Sequence, residues 1–302
     1  FNDTRGARAD EFLPLLRRYW GKDASFRELE FYKNPDVSSE TERISQGLVV
    51  SQIARQCALA LDGDPDYRNL FITAPTGAGK SLLFQLPAIR LALSRGAVTL
   101  VVSPLIALME DQVFSLEQKH GVSCATFLNS AITFEERQNR IEKIRSGEKS
   151  IVYLAPELLV STPLESILGD RKIGLFVIDE AHIVTSWGRD FRADYWYLGD
   201  FLADLRRQGR RFPVLCLTAT AVYGGPEDVV HETVESLSLG SPILFLGSVR
   251  RPDIRFDIRR VDPKAVSGAV GRFKVAQTAR AVSACVKKGE KTLVYCPFVS
   301  QV

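Results

Sequence analysis

Lys80 and Ser81 close the run Ala74-Pro-Thr-Gly-Ala-Gly-Lys-Ser81, and glycines spaced this way before a lysine and a hydroxyl suit the holding of phosphate. Gly77 and Gly79 let backbone N–H groups curl toward anionic oxygens, and a helix opening at Lys80 adds the positive end of its dipole. In this reading Thr76, Gly77, Ala78 and Gly79 form the cradle for ATP. Lys80 neutralises the β- and γ-phosphates, and Ser81 offers its hydroxyl to Mg2+. Ala74 stands where the general pattern has its first glycine.

Asp179-Glu-Ala-His182 follows 99 residues after Lys80 and ends an apolar run, so both acids fall at the carboxyl end of a buried strand. That edge is where ligands bind in open α/β sheets. Asp179 is suited to Mg2+ and Glu180 to polarising an attacking water as general base, with Lys80 as the third catalytic group. His182 has the position of a link between nucleotide and neighbouring motifs. Leu217-Thr-Ala-Thr-Ala221 ends another apolar strand, and the hydroxyls of Thr218 and Thr220 can bond His182 or the acids, reporting nucleotide state.

These motifs need a scaffold that brings strand ends together. Short apolar runs at Leu70–Thr73, Val98–Val102, Cys124–Phe127, Ser150–Leu154, Leu175–Ile178 and Val214–Leu217 read as strands buried on both faces. Polar-patterned stretches lie between them, such as Thr133–Arg145 with Phe134, Ile141 and Ile144 at helical spacing. Strand alternating with helix predicts an α/β fold, a P-loop NTPase domain with a mostly parallel sheet. The expected organisation is a helical or irregular extension over 1–45, an ATP-binding domain over 46–240, and a connector with the opening of a second domain over 241–302. In the extension, Phe12–Leu16 and Phe26–Leu29 read as helical. In the last part, strands are expected at Pro242–Leu246, Ile254–Ile258 and Lys291–Tyr295, with a helix from Val275 to Lys287. The chain starts without Met and stops directly after an expected strand, as a segment cut from a longer protein would.

Composition excludes little else. The 39 Lys and Arg against 36 Asp and Glu give a net charge of +3, too small to establish a nucleic-acid partner. The five cysteines are widely spaced, without the pairs a zinc site or disulfide framework needs, and Cys216 and Cys296 sit in apolar runs as core thiols do. No run approaches the roughly 18 apolar residues of a membrane span, and no secretory signal opens the chain. An intracellular protein is expected, cytoplasmic, or nuclear in a eukaryote.

The ordered motifs resemble the RecQ family of superfamily-two DNA helicases. The most specific block is Thr185-Ser-Trp-Gly-Arg-Asp-Phe-Arg-Ala-Asp-Tyr195, which is similar to the family's aromatic-rich loop that senses single-stranded DNA. Trp187 and Phe191 offer faces for base stacking, Arg192 can pair with phosphate or an acid, and Asp190 can hold its neighbours in place. Arg189 stands where the family usually has His, and Ala193 where it usually has Pro. Further similar blocks are Ser103–Gln112, Leu128–Ser130, Tyr153–Glu157, Arg251–Ile254 and Val294–Cys296, with an echo at Trp20–Arg27.

The resemblance implies a RecA-like motor domain and the start of a second, coupling ATP hydrolysis to 3′-to-5′ movement on single-stranded or partly duplex DNA. It places Ser103, Asn129, Ser130, Pro156 and Glu157 along the DNA groove, where backbone contacts make binding sequence-tolerant and salt-sensitive. The family's adenine-reading Gln follows closely on the Phe-Arg pair, but here Glu30 has that spacing. Gln52 takes the role in this reading because it precedes the helical stretch Ile53–Leu61, with Gln46 and Gln56 as alternatives. A chain lacking the second domain's arginine finger is expected to bind nucleotide and hydrolyse it poorly. Two other classes fit less of the pattern: a DNA-activated ATPase switch in a repair or phage-defence complex, and a kinase-like P-loop protein with no DNA role.

Overall fold

The first elements in chain order are α1 (Leu13–Trp20), β1 (Glu28–Tyr32), β2 (Thr41–Ser45), α2 (Gln46–Asp62), β3 (Leu70–Thr73) and α3 (Lys80–Arg95). There follow β4 (Val98–Val102), α4 (Ile106–Phe114) with a π-helical turn Ser115–Lys119, β5 (Ala125–Leu128), α5 (Phe134–Arg145) and β6 (Ile151–Leu154). Next come α6 (Pro156–Ser161), α7 (Leu164–Leu168) and β7 (Ile173–Asp179), then a 3-10 turn Ala181–Val184 and a helix Tyr197–Arg207. The sheet ends with β8 (Val214–Thr218), a helix Val229–Ser236 and β9 (Ile243–Leu246). This is a computed structural model, and it describes residues 1–185, 197–248, 254–255, 258 and 270–294. By contacts the chain divides into Phe1–Arg251 and Pro252–Val302.

In the first unit seven strands form one sheet in the order β5-β6-β4-β7-β8-β3-β9, every neighbouring pair parallel. Both faces are covered, which is why the strands read as unbroken apolar runs. Leu175 and Val177 of β7 point into one core, shared with α1 to α4, while Phe176 and Ile178 point into the other, shared with α5 to α7. Cys216 is buried as expected, and Cys296 lies outside the described residues. No helix among the described residues is long and apolar enough to cross a membrane.

Three expectations change. The segment Phe26–Leu29 is not helical: Leu29 and Phe31 are buried while Glu28 and Glu30 are exposed, a period of two, and β1 pairs antiparallel with β2 as a hairpin. The first 45 residues are no appendage either, because Phe12, Leu16, Phe31 and Ile44 belong to the same core as α2 and α3. Finally, Ile243–Leu246, assigned by sequence to the following region, is the edge strand beside β3, so the first unit runs past residue 240. Phe31 seals this corner, its ring 5.4 Å from that of Phe245. α5 carries the capping box of Thr133 and Glu136, but Phe134 is exposed. It shares the stripe of Ile141 and Ile144, yet the first turn overhangs the core.

The second unit contains the helix Val270–Lys287. Lys291–Val294, expected as a strand, runs without regular structure and is exposed, with no ladder partner among the described residues. Ile254, Arg255 and Ile258 are also outside any described strand, and Phe256 and Asp257 of that expected strand lie outside the described residues.

Truncating Phe31 to Ala is expected to cost the first unit about 3–5 kcal/mol, the range for emptying a buried aromatic site. Urea unfolding of the variant checks this; a change near zero would make the hairpin an independent appendage.

Candidate nucleotide site

The sheet order sets β7, β8 and β3 side by side, so three motifs far apart in sequence finish at one edge. The registers are level there: Thr73 pairs with Thr218 and Asp179 with Leu217. One residue past β3, the Ala74 N–H donates to the Thr218 carbonyl at 3.1 Å, tying the phosphate loop's first residue to the Thr pair.

The loop itself depends on glycine. Gly77 and Gly79 have φ of 84° and 79°, left-handed values that a side chain disfavours. Nothing would obstruct a Cβ on Gly77, so its conformation alone selects glycine, whereas a Cβ on Gly79 would lie 2.9 Å from Gln46 Nε2. Gly79 caps α3, whose first N–H groups have no helical acceptor and open toward the loop. Lys80 folds back so that Nζ donates to the carbonyls of Ala74 (3.2 Å) and Pro75 (3.4 Å). Burial lowers its pKa, and the nearby charges of Glu180 and Asp179 oppose that.

Asp179 is the electrostatic extreme of the site. Burial, then the charge of Glu180, push its carboxyl up to about 6, against a bond from the Glu180 N–H (3.0 Å) and the pull of Lys80. The pull of Lys80 does not offset burial and the Glu180 charge, so the carboxyl has room for a further cation. With the Ser81 hydroxyl and Asp179 as hard oxygen donors, the donor set fits Mg2+. Glu180 has φ 52°, a left-handed backbone at a non-glycine residue, and turns the chain into the 3-10 helix.

His182 Nδ1 lies 2.9 Å from Thr218 Oγ1 and 3.3 Å from Glu180 Oε2. Burial lowers its pKa against the opposing charge of Glu180, and since a carboxylate only accepts, a proton on Nδ1 suits both contacts. Thr220 does not reach His182 in the described contacts; its N–H donates to Thr218 Oγ1 at 3.1 Å, and the two hydroxyl oxygens are 3.5 Å apart.

The three glutamine candidates for reading adenine sit in different surroundings. Gln52 lies inside α2, 1% exposed, its Oε1 without a partner among the described residues. At 1.5 Å per residue it is about 9 Å along the axis from Gln46. Gln56 is equally buried and accepts the Arg68 N–H at 2.7 Å, a loop-holding role. Gln46, at the first turn, donates to the Ala78 carbonyl at 2.9 Å and accepts from the Arg27 N–H at 3.0 Å. Arg27 itself donates to the Gly77 carbonyl at 3.2 Å. Phe26-Arg27 and Gln46 are thus reunited at the phosphate loop, with the β1–β2 hairpin inserted between them. The Phe-Arg pair was the available sequence signal.

The groove candidates divide. Ser103, Asn129 and Pro156 are buried at the carboxyl ends of β4, β5 and β6. Asn129 accepts the Ala131 N–H at 3.0 Å and donates to Glu110 Oε1 at 3.3 Å. Ser130 is exposed and Glu157 partly so. Trp187, Arg189, Asp190, Phe191 and Arg192 lie outside the described residues.

Against this geometry, residues 51–229 match the family model of the DEAD/DEAH box helicases. The ATP-dependent DNA helicase RecQ of Pasteurella multocida is 35% identical over 236 residues, covering 78% of this chain and 33% of its own length. The probable ATP-dependent DNA helicase RecS of Bacillus subtilis is 37% identical over 227 residues, 74% of this chain and 40% of its own. Among solved structures, the Hef helicase domain of Pyrococcus furiosus aligns over 65% of this chain and 37% of its own, at TM-score 0.47 and 18% identity. The chain thus spans a third to two fifths of the length of these curated relatives.

Asp179 yields a pH-dependent prediction. Its folded pKa, about 6, exceeds the ordinary 3.8, so its stabilising share is present below the lower value and lost as pH rises through the upper. Asp179→Asn, which cannot ionise, is therefore expected to stabilise the nucleotide-free protein by roughly 1–3 kcal/mol at pH 7.5. The gain should shrink toward pH 5. Urea unfolding at the two pH values checks it, and a gain independent of pH would contradict the assignment.

Proposed function

The chain belongs to the DEAD/DEAH box helicase family, and on that premise we propose that it is the ATP-binding motor domain of a RecQ-like DNA helicase. The observation that carries this reading is the contact of His182 with both Glu180 and Thr218, a physical link from the hydrolytic acid to the motif on the next strand. The curated relatives named as ATP-dependent DNA helicases support the same substrate class.

In the proposed mechanism the N–H groups from Thr76 to Ser81 and the Lys80 ammonium, swung off the Ala74 and Pro75 carbonyls, hold the β- and γ-phosphates. Ser81 and the ionised Asp179 would hold Mg2+, which would supply charge neutralisation to those phosphates. Glu180 accepts a proton from the water that attacks the γ-phosphorus while the bond to the ADP oxygen breaks. Gln46, placed on the loop by Arg27, takes the adenine-reading role in place of Gln52. Trp187, Arg189, Asp190, Phe191 and Arg192 take the DNA-binding role with Ser130 and Glu157, the substrate is single-stranded or partly duplex DNA, and movement runs 3′ to 5′. The whole protein works inside the cell, with a repair or defence complex as the setting for any protein partners.

Glu180→Gln in the full-length protein is expected to keep ATP binding while hydrolysis falls by roughly 10²–10⁴. Steady-state ATP turnover with and without a single-stranded oligonucleotide checks both halves of the reading. Near-normal turnover in the variant would place the base elsewhere. A wild-type rate indifferent to DNA would leave only a nucleotide-binding domain, and stimulation without strand separation would favour an ATPase switch.

A further inference from the structure

Four side chains form a continuous polar chain from β6 through α3 and α4 to the phosphate loop. Gln85, 6% exposed on α3, donates from Nε2 to Gln112 Oε1 at 2.8 Å and to the Tyr153 hydroxyl at 3.3 Å. Gln112, on α4, donates from its own Nε2 to Ser81 Oγ at 3.2 Å. Both amide hydrogens of Gln85 are thereby engaged, and the Gln112 amide is held by its oxygen with its NH2 group aimed at Ser81. Tyr153, 1% exposed, has its pKa raised chiefly by burial, so it stays a neutral hydroxyl and a fixed end to the chain.

The consequence for Ser81 is specific. A serine hydroxyl has one hydrogen and two lone pairs. A bond from Gln112 occupies one lone pair and fixes the rotation of the hydroxyl about Cβ–Oγ. The second lone pair is left to a cation, which requires an oxygen donor that cannot be competed for by its own rotation. Packing alone would be satisfied by apolar side chains; a buried amide and a half-buried one arranged head to tail cost desolvation and are kept where their direction matters.

We propose that Gln112 is a positioning residue for the Ser81 hydroxyl, oriented by Gln85, and that it sets the affinity of the chain for Mg2+ in the presence of ATP. This rests on the reading of Ser81 as a metal-ligating hydroxyl. Neither glutamine touches the phosphates or the metal; both act through one oxygen.

The test is a Mg2+ titration of binding of a fluorescent ATP analogue to the whole chain, with a parallel affinity measurement in EDTA. Wild type, Gln112→Leu, Ser81→Ala and the double variant are compared. Gln112→Leu is expected to raise the half-saturating Mg2+ concentration by about 3–10-fold, the worth of one hydrogen bond, with metal-free affinity changed by less than about twofold. In the Ser81→Ala background the same substitution should add no further shift. Gln85→Leu, which leaves α4 intact, should shift the titration in the same direction by less, and it carries the test if Gln112→Leu fails to fold. Equal loss of affinity in EDTA and in Mg2+ would overturn the proposal, as would an equal shift with and without the Ser81 hydroxyl. A Ser81→Ala variant with unchanged Mg2+ dependence would instead bring down the underlying reading of Ser81.

Discussion

The adjacency of β7, β8 and β3 is the constraint on which the rest of the site depends. Parallel pairing with Thr73 opposite Thr218 and Asp179 opposite Leu217 brings three strand ends level, and the Ala74 N–H to Thr218 carbonyl bond continues that ladder into the phosphate loop. Because β3 and β4 are separated by β7 and β8, the chain after the loop must cross over and return, leaving a crevice at the carboxyl edge. Lys80, Asp179, Glu180, His182 and Thr218 meet there because the sheet order puts them there. A slip of one residue at any of these pairings would turn each strand's side chains to the opposite core.

Within that frame the site holds charge under tension. Asp179 is pushed up by burial and by Glu180, while Lys80 is pushed down by burial and retains two carbonyl contacts. Glu180 occupies a left-handed turn that costs a non-glycine residue on the order of 1 kcal/mol, and its carboxylate meets His182. A fold selected only for stability would relieve each of these, with Asn for Asp179 or Gly for Glu180. Their retention together at one strand edge is what binding and hydrolysing a polyanion requires.

The motifs were readable because their chemistry is local: glycine spacing declares a left-handed loop, and an acid pair after an apolar run declares a strand end. The unbroken runs around Phe71, Val177 and Cys216 declared a doubly covered parallel sheet for the same reason. What escaped was tertiary. The β1–β2 hairpin separates Arg27 from Gln46 in sequence and returns them to one loop in space, so Glu30 fell at the expected spacing, while Gln52, chosen for its place before a helical stretch, lies buried inside that helix. Ser103 and Asn129 look like contact residues in a linear motif, and their burial is set by the fold. Nothing in the pattern at Ile243–Leu246 told which sheet would take it, because an apolar strand suits any edge that offers partners.

The hairpin also packs onto the domain without displacing the phosphate loop. Phe31 anchors it to the core, Arg27 and Gln46 hold its base to the phosphate loop, and at its tip Asp36 accepts the Tyr223 hydroxyl at 2.7 Å, beyond the Thr pair. The central claim is that these strand ends assemble a site for ATP with Mg2+ around Lys80. Calorimetric titration of ATP with Mg2+ into this chain and its Lys80→Ala variant tests that most directly. The account predicts saturable binding by the wild type, weakened about 10–100-fold by loss of the charge-assisted bonds of the ammonium. Equal affinity in the two proteins, with both folded, would contradict it.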